Sequence, residues 1–429
     1  MLKVFRSIHL STPEHRKIDP HPPFRENHIM PLPKPSRRQF LQQSTTLAAG
    51  VSLLQDAIGQ ESNPAAQVED KGANLRISSL EAHRVAHKVF IKIITNHKIF
   101  GWGEVTGLEP NAAAHLARSL SELLVGENPT RIEYLWQKIY RSHRDMRGGP
   151  FMTHVLSGID MALWDITGKA WGVPVYRLLG GPTRDKLRVY PTPHAFKLGT
   201  GGPWPYSGDP KSIDSLVRMV KDGRQRVGAE GAIMFDAHCA IPPATLIQFA
   251  NAIEPYNLLF LEEVAVPGNI EVFKRLKQHI RIPMAAGERD RTIWGMLPYL
   301  QERCLDVLQP DCGHTGGISQ IKKIATLAEA YFVPLAPHCT MTMLGASASL
   351  HASFSVPFLL IHELYPENYP PGLVHYHWKV GEDGYVSLPE GPGLGVEVVE
   401  SKFAELNARP NNHFKWPTPT LKDGAIRDY

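Results

Sequence analysis

The chain has 429 residues, 43% hydrophobic and 21% charged, a composition that suits a globular protein with a large core and excludes a low-complexity or fibrous chain. Its formal charge of +4 resides in the leader: residues 1–38 hold eight Lys and Arg against three acids, leaving 38 basic and 39 acidic residues in the remainder. A body so close to neutral carries no electrostatic footprint for nucleic acid.

Residues 1–54 read as a leader. Ser36-Arg37-Arg38-Gln39-Phe40-Leu41 has the order of a twin-arginine export motif, and the ten-residue apolar stretch from Thr45 to Leu54 follows it. Ten residues are too few to span a bilayer, so no stable membrane anchor is expected. The expected destination is the periplasm, or the cytoplasm if the signal is not used. Met30 offers an alternative start, because the Arg pair lies deep for such a signal. Residues 55–74 are polar and aperiodic, a linker.

Residues 75–185 carry the signals of a small α+β domain. HKVFIKIITN and KIFGWGEVTG read as strands around a turn at Asn96-His97. Helical periodicity follows over Ala112–Leu124, Arg131–Tyr140 and Thr153–Ala170, and Gly172-Val173-Pro174 ends the last of these. The segment EAHRVAHK, between Leu80 and Val89, reads as a short loop.

From residue 186 to 394 strands and helices alternate. Leu187–Tyr190 is a strand; AIMFDAH, LLFLEEV, IPMAAGE, CLDVLQPD, FVPLAPHC and FLLIHEL follow, with amphipathic helices between them. Between Leu187 and Asp236 there is little room for a full helix and second strand, so the repeat is expected to be irregular there. Asp236, Glu262 and Glu288 stand 26 residues apart, the length of one strand–helix unit. Such units close most simply into a (β/α)8 barrel, with a doubly wound sheet as the alternative. Polar residues end six successive strands, whereas an open sheet concentrates its site at one switch point, so the barrel is favoured.

The strand ends are Asp236 with His238, Glu262, Glu288, Asp311, His338 and Glu363. Positions i and i+2 of a strand share a face, which aims His238 with Asp236 into the mouth and turns Glu263 outward. Three hard oxygen ligands on neighbouring strands suit a divalent cation, and magnesium is the expected one. The four cysteines (Cys239, Cys304, Cys312, Cys339) are too scattered for a disulfide framework and read as buried thiols.

The motifs GWGEV, RGGP, GIDMALWDITGKAWGVPVYRLLGG, FDAH, EE, GE, QPD, APH, HEL and GPGLGV occur in that order over residues 75–400. In this the chain resembles the enolase superfamily, of the mandelate racemase/muconate lactonizing enzyme type, on the branch of the galactonate and mannonate dehydratases. The resemblance implies that residues 75–185, completed by a C-terminal segment over 395–429, cap the barrel mouth, and that Asp236, Glu262 and Glu288 bind Mg2+. It places substrate selection partly in the loop between Leu80 and Val89. The expected substrate is a sugar acid, D-galactonate the best single guess, and a homo-oligomer is expected.

The chemistry agrees. Removing a proton beside a carboxylate builds a second negative charge, which a metal on three carboxylates can stabilise. His338 suits the base, with Asp311 fixing its tautomer and raising its basicity. His238 is placed to protonate a departing 3-hydroxyl, and Glu363 to hydrogen-bond the substrate. A Lys-x-Lys pair on the second strand is absent, so a racemase base there is missing unless Lys197 serves. The alternatives are a racemase or epimerase on the same scaffold, and a non-catalytic starvation-signalling relative.

Overall fold

The computed structural model describes residues 72–200, 210–366, 370–409, 420–421 and 423–426, all within the compact unit Asp70–Tyr429. The twin-arginine motif, the apolar stretch after it and nearly all of the linker lie outside the described residues. Among the described residues no helix is long and apolar enough to cross a membrane.

The first layer is an antiparallel sheet, β1 (Ile77–Val85), β2 (Lys88–Thr95) and β3 (Phe100–Val105), followed by α1 (Pro110–Ser119), α2 (Ile132–Ser142) and α3 (Pro150–Trp171). EAHRVAHK is not a loop. β1 runs to Val85, pairs with Lys88, and turns through Ala86 and His87 alone, with Ala86 at φ 59°. The segment serves as an edge strand of the sheet: Leu80 and Val85 are buried while the four residues between them are half-exposed.

Helix α3 is buried along most of its length and lies against β3. The sequence permits that approach through glycine. A Cβ on Gly103 would overlap the carbonyl oxygen of Gly158, and one on Gly101 that of Ala162. Gly172 ends the helix in the left-handed region, at φ 71°.

After the short α4 (Val175–Leu178) the barrel begins with β4 (Lys186–Tyr190) and β5 (Ala195–Gly199). Then come α5 (Pro210–Val227), β6 (Ala232–Asp236), α6 (Pro243–Ile253), β7 (Phe260–Glu262), α7 (Ile270–Lys277), β8 (Met284–Ala286), α8 (Thr292–Gln301), β9 (Val307–Leu308) and α9 (Ile318–Ala330). Strands β5 to β9 form one parallel sheet in chain order. Leu335 bridges Leu308 and Leu359 in parallel, α10 (Met343–Phe354) intervenes, and β10 (His362–Glu363) pairs in parallel with β4. The ring thus passes through eight strand positions. No ladder joins β4 to β5, which are connected by residues 191–194 alone. Four residues cannot hold a crossover helix.

One apolar cluster fills the ring: Tyr190, Ala195, Ala232, Met234, Phe260, Ala285, Val307, Ala336 and Ile361. Every strand position sends a side chain inward at this level, which makes a packed plug rather than a pore. The next inward position on each strand lies two residues on, at the C-terminal mouth.

The chain end returns to the first layer. After β11 (Val374–Tyr376), β12 (Tyr385–Ser387) and β13 (Val396–Val398), α11 (Lys402–Ala408) lies on β1. Phe403 packs edge-on against Phe90 and Trp102, and Asn407 accepts from Ala86 N at 2.9 Å. Helix α3 docks on the barrel through Asp160, fully buried, which accepts from Ser319 N at 3.0 Å and Ser319 Oγ at 2.5 Å. Gly103→Ala is expected to cost ~3 kcal/mol or more, since backbone rather than a flexible side chain must yield. Urea unfolding measures this, and a shift below about 1 kcal/mol would show that the two elements can separate freely.

Candidate active site

Two residues above the plug stand Lys197 on β5, Asp236 on β6, Glu262 on β7, Gln309 beyond β9, His338 beyond Leu335 and Glu363 on β10. All are buried or nearly so, and their parity follows from strand alternation. Glu288 arrives differently. It follows Gly287, whose φ of 136° turns the chain out of β8.

The base candidate is held tightly. His338 Nδ1 lies 2.6 Å from Asp311 Oδ2, and its Nε2 lies 3.7 Å from both Glu288 Oε2 and Glu363 Oε2. Burial lowers the His338 pKa, but the charges of Glu288, Glu363 and Asp311 and the Asp311 hydrogen bond outweigh it and hold the imidazole well above its ordinary value. For Asp311, burial raises the carboxyl, while His314, His338 and the Gly313 N–H hold it well below the ordinary carboxylate range. The Nδ1–H therefore points at the carboxylate, leaving Nε2 aimed at the mouth.

Lys197 occupies the centre. Its Nζ stands 2.6 Å from Glu262 Oε1, 3.0 Å from Glu363 Oε1 and 3.3 Å from Asp236 Oδ2. Among the described residues, triplets whose donor atoms all lie within 4.8 Å of one another are Asp236–His238–Glu263 and Asp311–His314–His338. The three expected ligands are therefore neighbours rather than a closed cage, with the ammonium touching two of them.

Their chemistry nonetheless fits a divalent cation. Glu262 Oε2 and Glu288 Oε2 are buried and accept no hydrogen bond from the protein. Burial pushes the Glu262 carboxyl well above its ordinary value; Lys197 opposes this, and Asp236, Glu363 and Glu288 add to it. The mouth thus crowds hard oxygens whose ionised forms burial disfavours, and a small divalent ion would favour those forms.

His238 sits beside Asp236, with Nε2 3.4 Å from Asp236 Oδ2, but strand alternation is not the reason. β6 stops at Asp236. His238 has φ 47°, and its own N–H donates to Asp236 Oδ1 at 2.8 Å, a tight turn closed by the acid's side chain. Its ring is 46% exposed, so it reaches the mouth from the rim. Glu263 likewise does not turn outward. It is 4% exposed, at φ 46°, and its Oε1 accepts from Arg289 Nε at 2.6 Å. Cys239 is half-buried against Arg289 and Glu263 rather than turned away; all four cysteines are free thiols, and the other three are buried.

Sequence reasoning passed over Gln309 and the pair His154–His314. Gln309 is fully buried with both amide atoms unpartnered, two positions before Asp311 on the same parity, which was its legible signal. His154 of α3 stacks on His314 at 4.3 Å between centroids, and His314 Nδ1 is 2.9 Å from the Glu288 carbonyl. That contact crosses layers and leaves no local pattern. His351 and His362 are structural: His351 Nδ1 accepts from Tyr176 N at 3.2 Å, and His362 Nε2 is 2.8 Å from Ser349 Oγ.

The Asp311–His338 pair sets a pH window. A raised imidazole contributes fully below its ordinary 6.5 and less as pH climbs through the raised value; a depressed carboxyl contributes fully above its ordinary 3.8 and less as pH falls through the lower one. Asp311→Asn is expected to destabilise the metal-free protein most between 3.8 and 6.5, the difference shrinking at alkaline pH. Urea unfolding over a pH series tests this; a difference independent of pH would mean that the pair is not ionic.

Comparison with known proteins agrees with the architecture. Residues 187–402 match the enolase C-terminal domain-like family, and residues 67–180 match the N-terminal domain of mandelate racemase/muconate lactonizing enzyme. D-galactonate dehydratases from Ralstonia pickettii (33% identical) and Pectobacterium atrosepticum (32%) each align over 83% of this chain and all of their own length. An enolase from Pantoea ananatis, solved with bound D-gluconate and Mg, is 28% identical with a TM-score of 0.75, over 83% of this chain and 100% of its own. The 3,6-anhydro-D-galactonate cycloisomerase of Zobellia galactanivorans is 26% identical, TM-score 0.71, over 77% and 99%. With both domain types matched in order and relatives aligned end to end, the chain belongs to the enolase superfamily, on the branch of the galactonate dehydratases.

Proposed function

We propose that this enzyme is a magnesium-dependent sugar-acid dehydratase, a carbon–oxygen lyase, with D-galactonate the leading substrate. The observation that carries the reading is the 2.6 Å Asp311–His338 dyad facing the buried carboxylates, with His238 four strand positions away across the ring. The full-length likeness to D-galactonate dehydratases supports the same class.

Asp236, Glu262 and Glu288 are the residues that would hold the ion, and the chemistry supplied when it is bound is stabilisation of charge on the substrate carboxylate. His338 Nε2 takes the proton from C2, and Asp311 stabilises the imidazolium that results. The electron pair of the C2–H bond is held first on the substrate carboxylate and then returns toward C3 as the C3–O bond breaks. His238 donates a proton to the departing hydroxyl, which leaves as water. The enol so formed tautomerises to a 2-keto-3-deoxy sugar acid. Lys197 and Glu363 hold the carboxylate end and the adjoining hydroxyl.

Elimination is favoured over racemisation by β5. Lys197, the base candidate there, is an ammonium engaged by three carboxylates, and the next inward position is Gly199, which has no side chain. A non-catalytic role would not require the dyad and the acid cluster together.

A panel of sugar acids incubated with protein and magnesium is expected to yield a semicarbazide-reactive 2-keto acid from at least one member, and chelation to abolish it. His338→Asn is expected to lower both C2 deuterium exchange and elimination by at least about 10²-fold, whereas His238→Asn lowers elimination and retains exchange. Exchange without keto acid from every member would point to an epimerase; no exchange at all would remove the catalytic reading. Export by the twin-arginine route rests on Arg37-Arg38 and the apolar stretch after them. Replacing both arginines by lysine is expected to retain the protein in the cytoplasm, and unchanged fractionation would dismiss the signal.

A further inference from the structure

The first layer meets the loop that carries His338 through a buried ion pair. Lys88 opens β2 directly after the two-residue turn and is 4% exposed; Glu104, on β3, is fully buried. Lys88 Nζ stands 3.2 Å from Glu104 Oε1, donates to Thr106 Oγ1 at 2.8 Å, and reaches across to the Thr340 carbonyl at 3.0 Å. Glu104 accepts from Thr342 N at 3.0 Å, from Thr342 Oγ1 at 2.6 Å and from Gly345 N at 3.2 Å, at the N-terminus of α10. Cys339 N donates to Glu363 Oε2 at 3.0 Å on the barrel side. The link between His338 and α10 is thus gripped at both ends, and most of the grip comes from the other layer.

Stability alone does not account for such a pair, because desolvating two charges offsets most of their attraction, and apolar residues of similar volume usually serve as well. Geometry does account for it. A general base must hold its aim to about 0.5 Å, and residues 339–342 set where the His338 backbone stands. We propose that Lys88 and Glu104 are positioning residues, a strut by which the cap holds the His338 loop and keeps the imidazole aimed at C2. The proposal rests on His338 being the base.

The test compares the full-length, magnesium-loaded wild type with Lys88→Met, Glu104→Gln and the double variant, and includes His338→Asn. Read-outs are the C2 deuterium exchange rate, kcat and KM on the sugar acid that wild type turns over, and urea stability. Each single variant is expected to lose stability, because one charge is left buried alone. The double variant leaves no charge unpaired and is expected to regain most of that stability. Its kcat is nevertheless expected to stay about 10- to 100-fold below wild type, with KM changed less than about threefold, as misplacement of a base rather than weakened binding requires. Activity that returns together with stability in the double variant overturns the strut, as does wild-type kcat in a folded single variant. If His338→Asn keeps wild-type exchange, the base assignment fails instead, and the strut with it.

Discussion

Crowding acids into a dry barrel mouth is the constraint on which the structure turns. Asp236, Glu262, Glu288 and Glu363 lie over an apolar plug, and Lys197 is the ammonium among them. Placed in water these groups would repel only weakly; at Glu262 burial first, and then the charges of Asp236, Glu363 and Glu288, push the carboxyl up against the pull of Lys197. The strands fix the carboxylates before any ligand arrives, and hard oxygens so crowded suit a divalent cation. An anionic sugar acid could not approach such a site unless positive charge were supplied there.

The same constraint explains the second layer. Keeping those acids dry takes cover from outside the barrel, and His154 of α3 supplies part of it by stacking on His314, beside Asp311. Helix α3 is pressed against β3 at the glycines and anchored on the first turn of α9 at Ser319. The C-terminal helix α11 returns to the far edge of the same sheet, where Phe403 fills the space between Phe90 and Trp102. Cap and barrel therefore share their polar anchors as well as their apolar contacts. Those anchors fall on the loop after β9 with the start of α9, and on the loop after Leu335; the two loops bear Asp311 and His338.

The seam between β4 and β5 shows how far the scaffold can depart from regularity without losing the site. Four residues replace a crossover helix there, yet β5 keeps its parallel register with β6, pairing Lys197 with Met234. Lys197 still points inward at the level of the acids. The pairing of β5 with one well-formed neighbour is enough to hold its parity, since a slip of one residue would bury the other face.

Strand periodicity made much of this legible from residues alone. The 26-residue spacing of Asp236, Glu262 and Glu288 marks a repeat because a strand and its return helix have a nearly constant length, and alternation by two brings Glu363 and His338 to the inner face. What alternation could not supply is the backbone just beyond a strand. His238 and Glu263 both have positive φ, and a rule for extended chains fails at the first residue that leaves the extended region. Equally hidden were the tight turn at Ala86-His87, the grip of Lys197 on three acids, and the link from Lys88 through Glu104 to Thr342. The sequence by itself determined the repeat, the inner-face acids and the dyad partners, because each depends on a local period. Only tertiary structure decided how the charges are shared and what holds the loops, because those depend on groups distant in the chain meeting in a space that water has left.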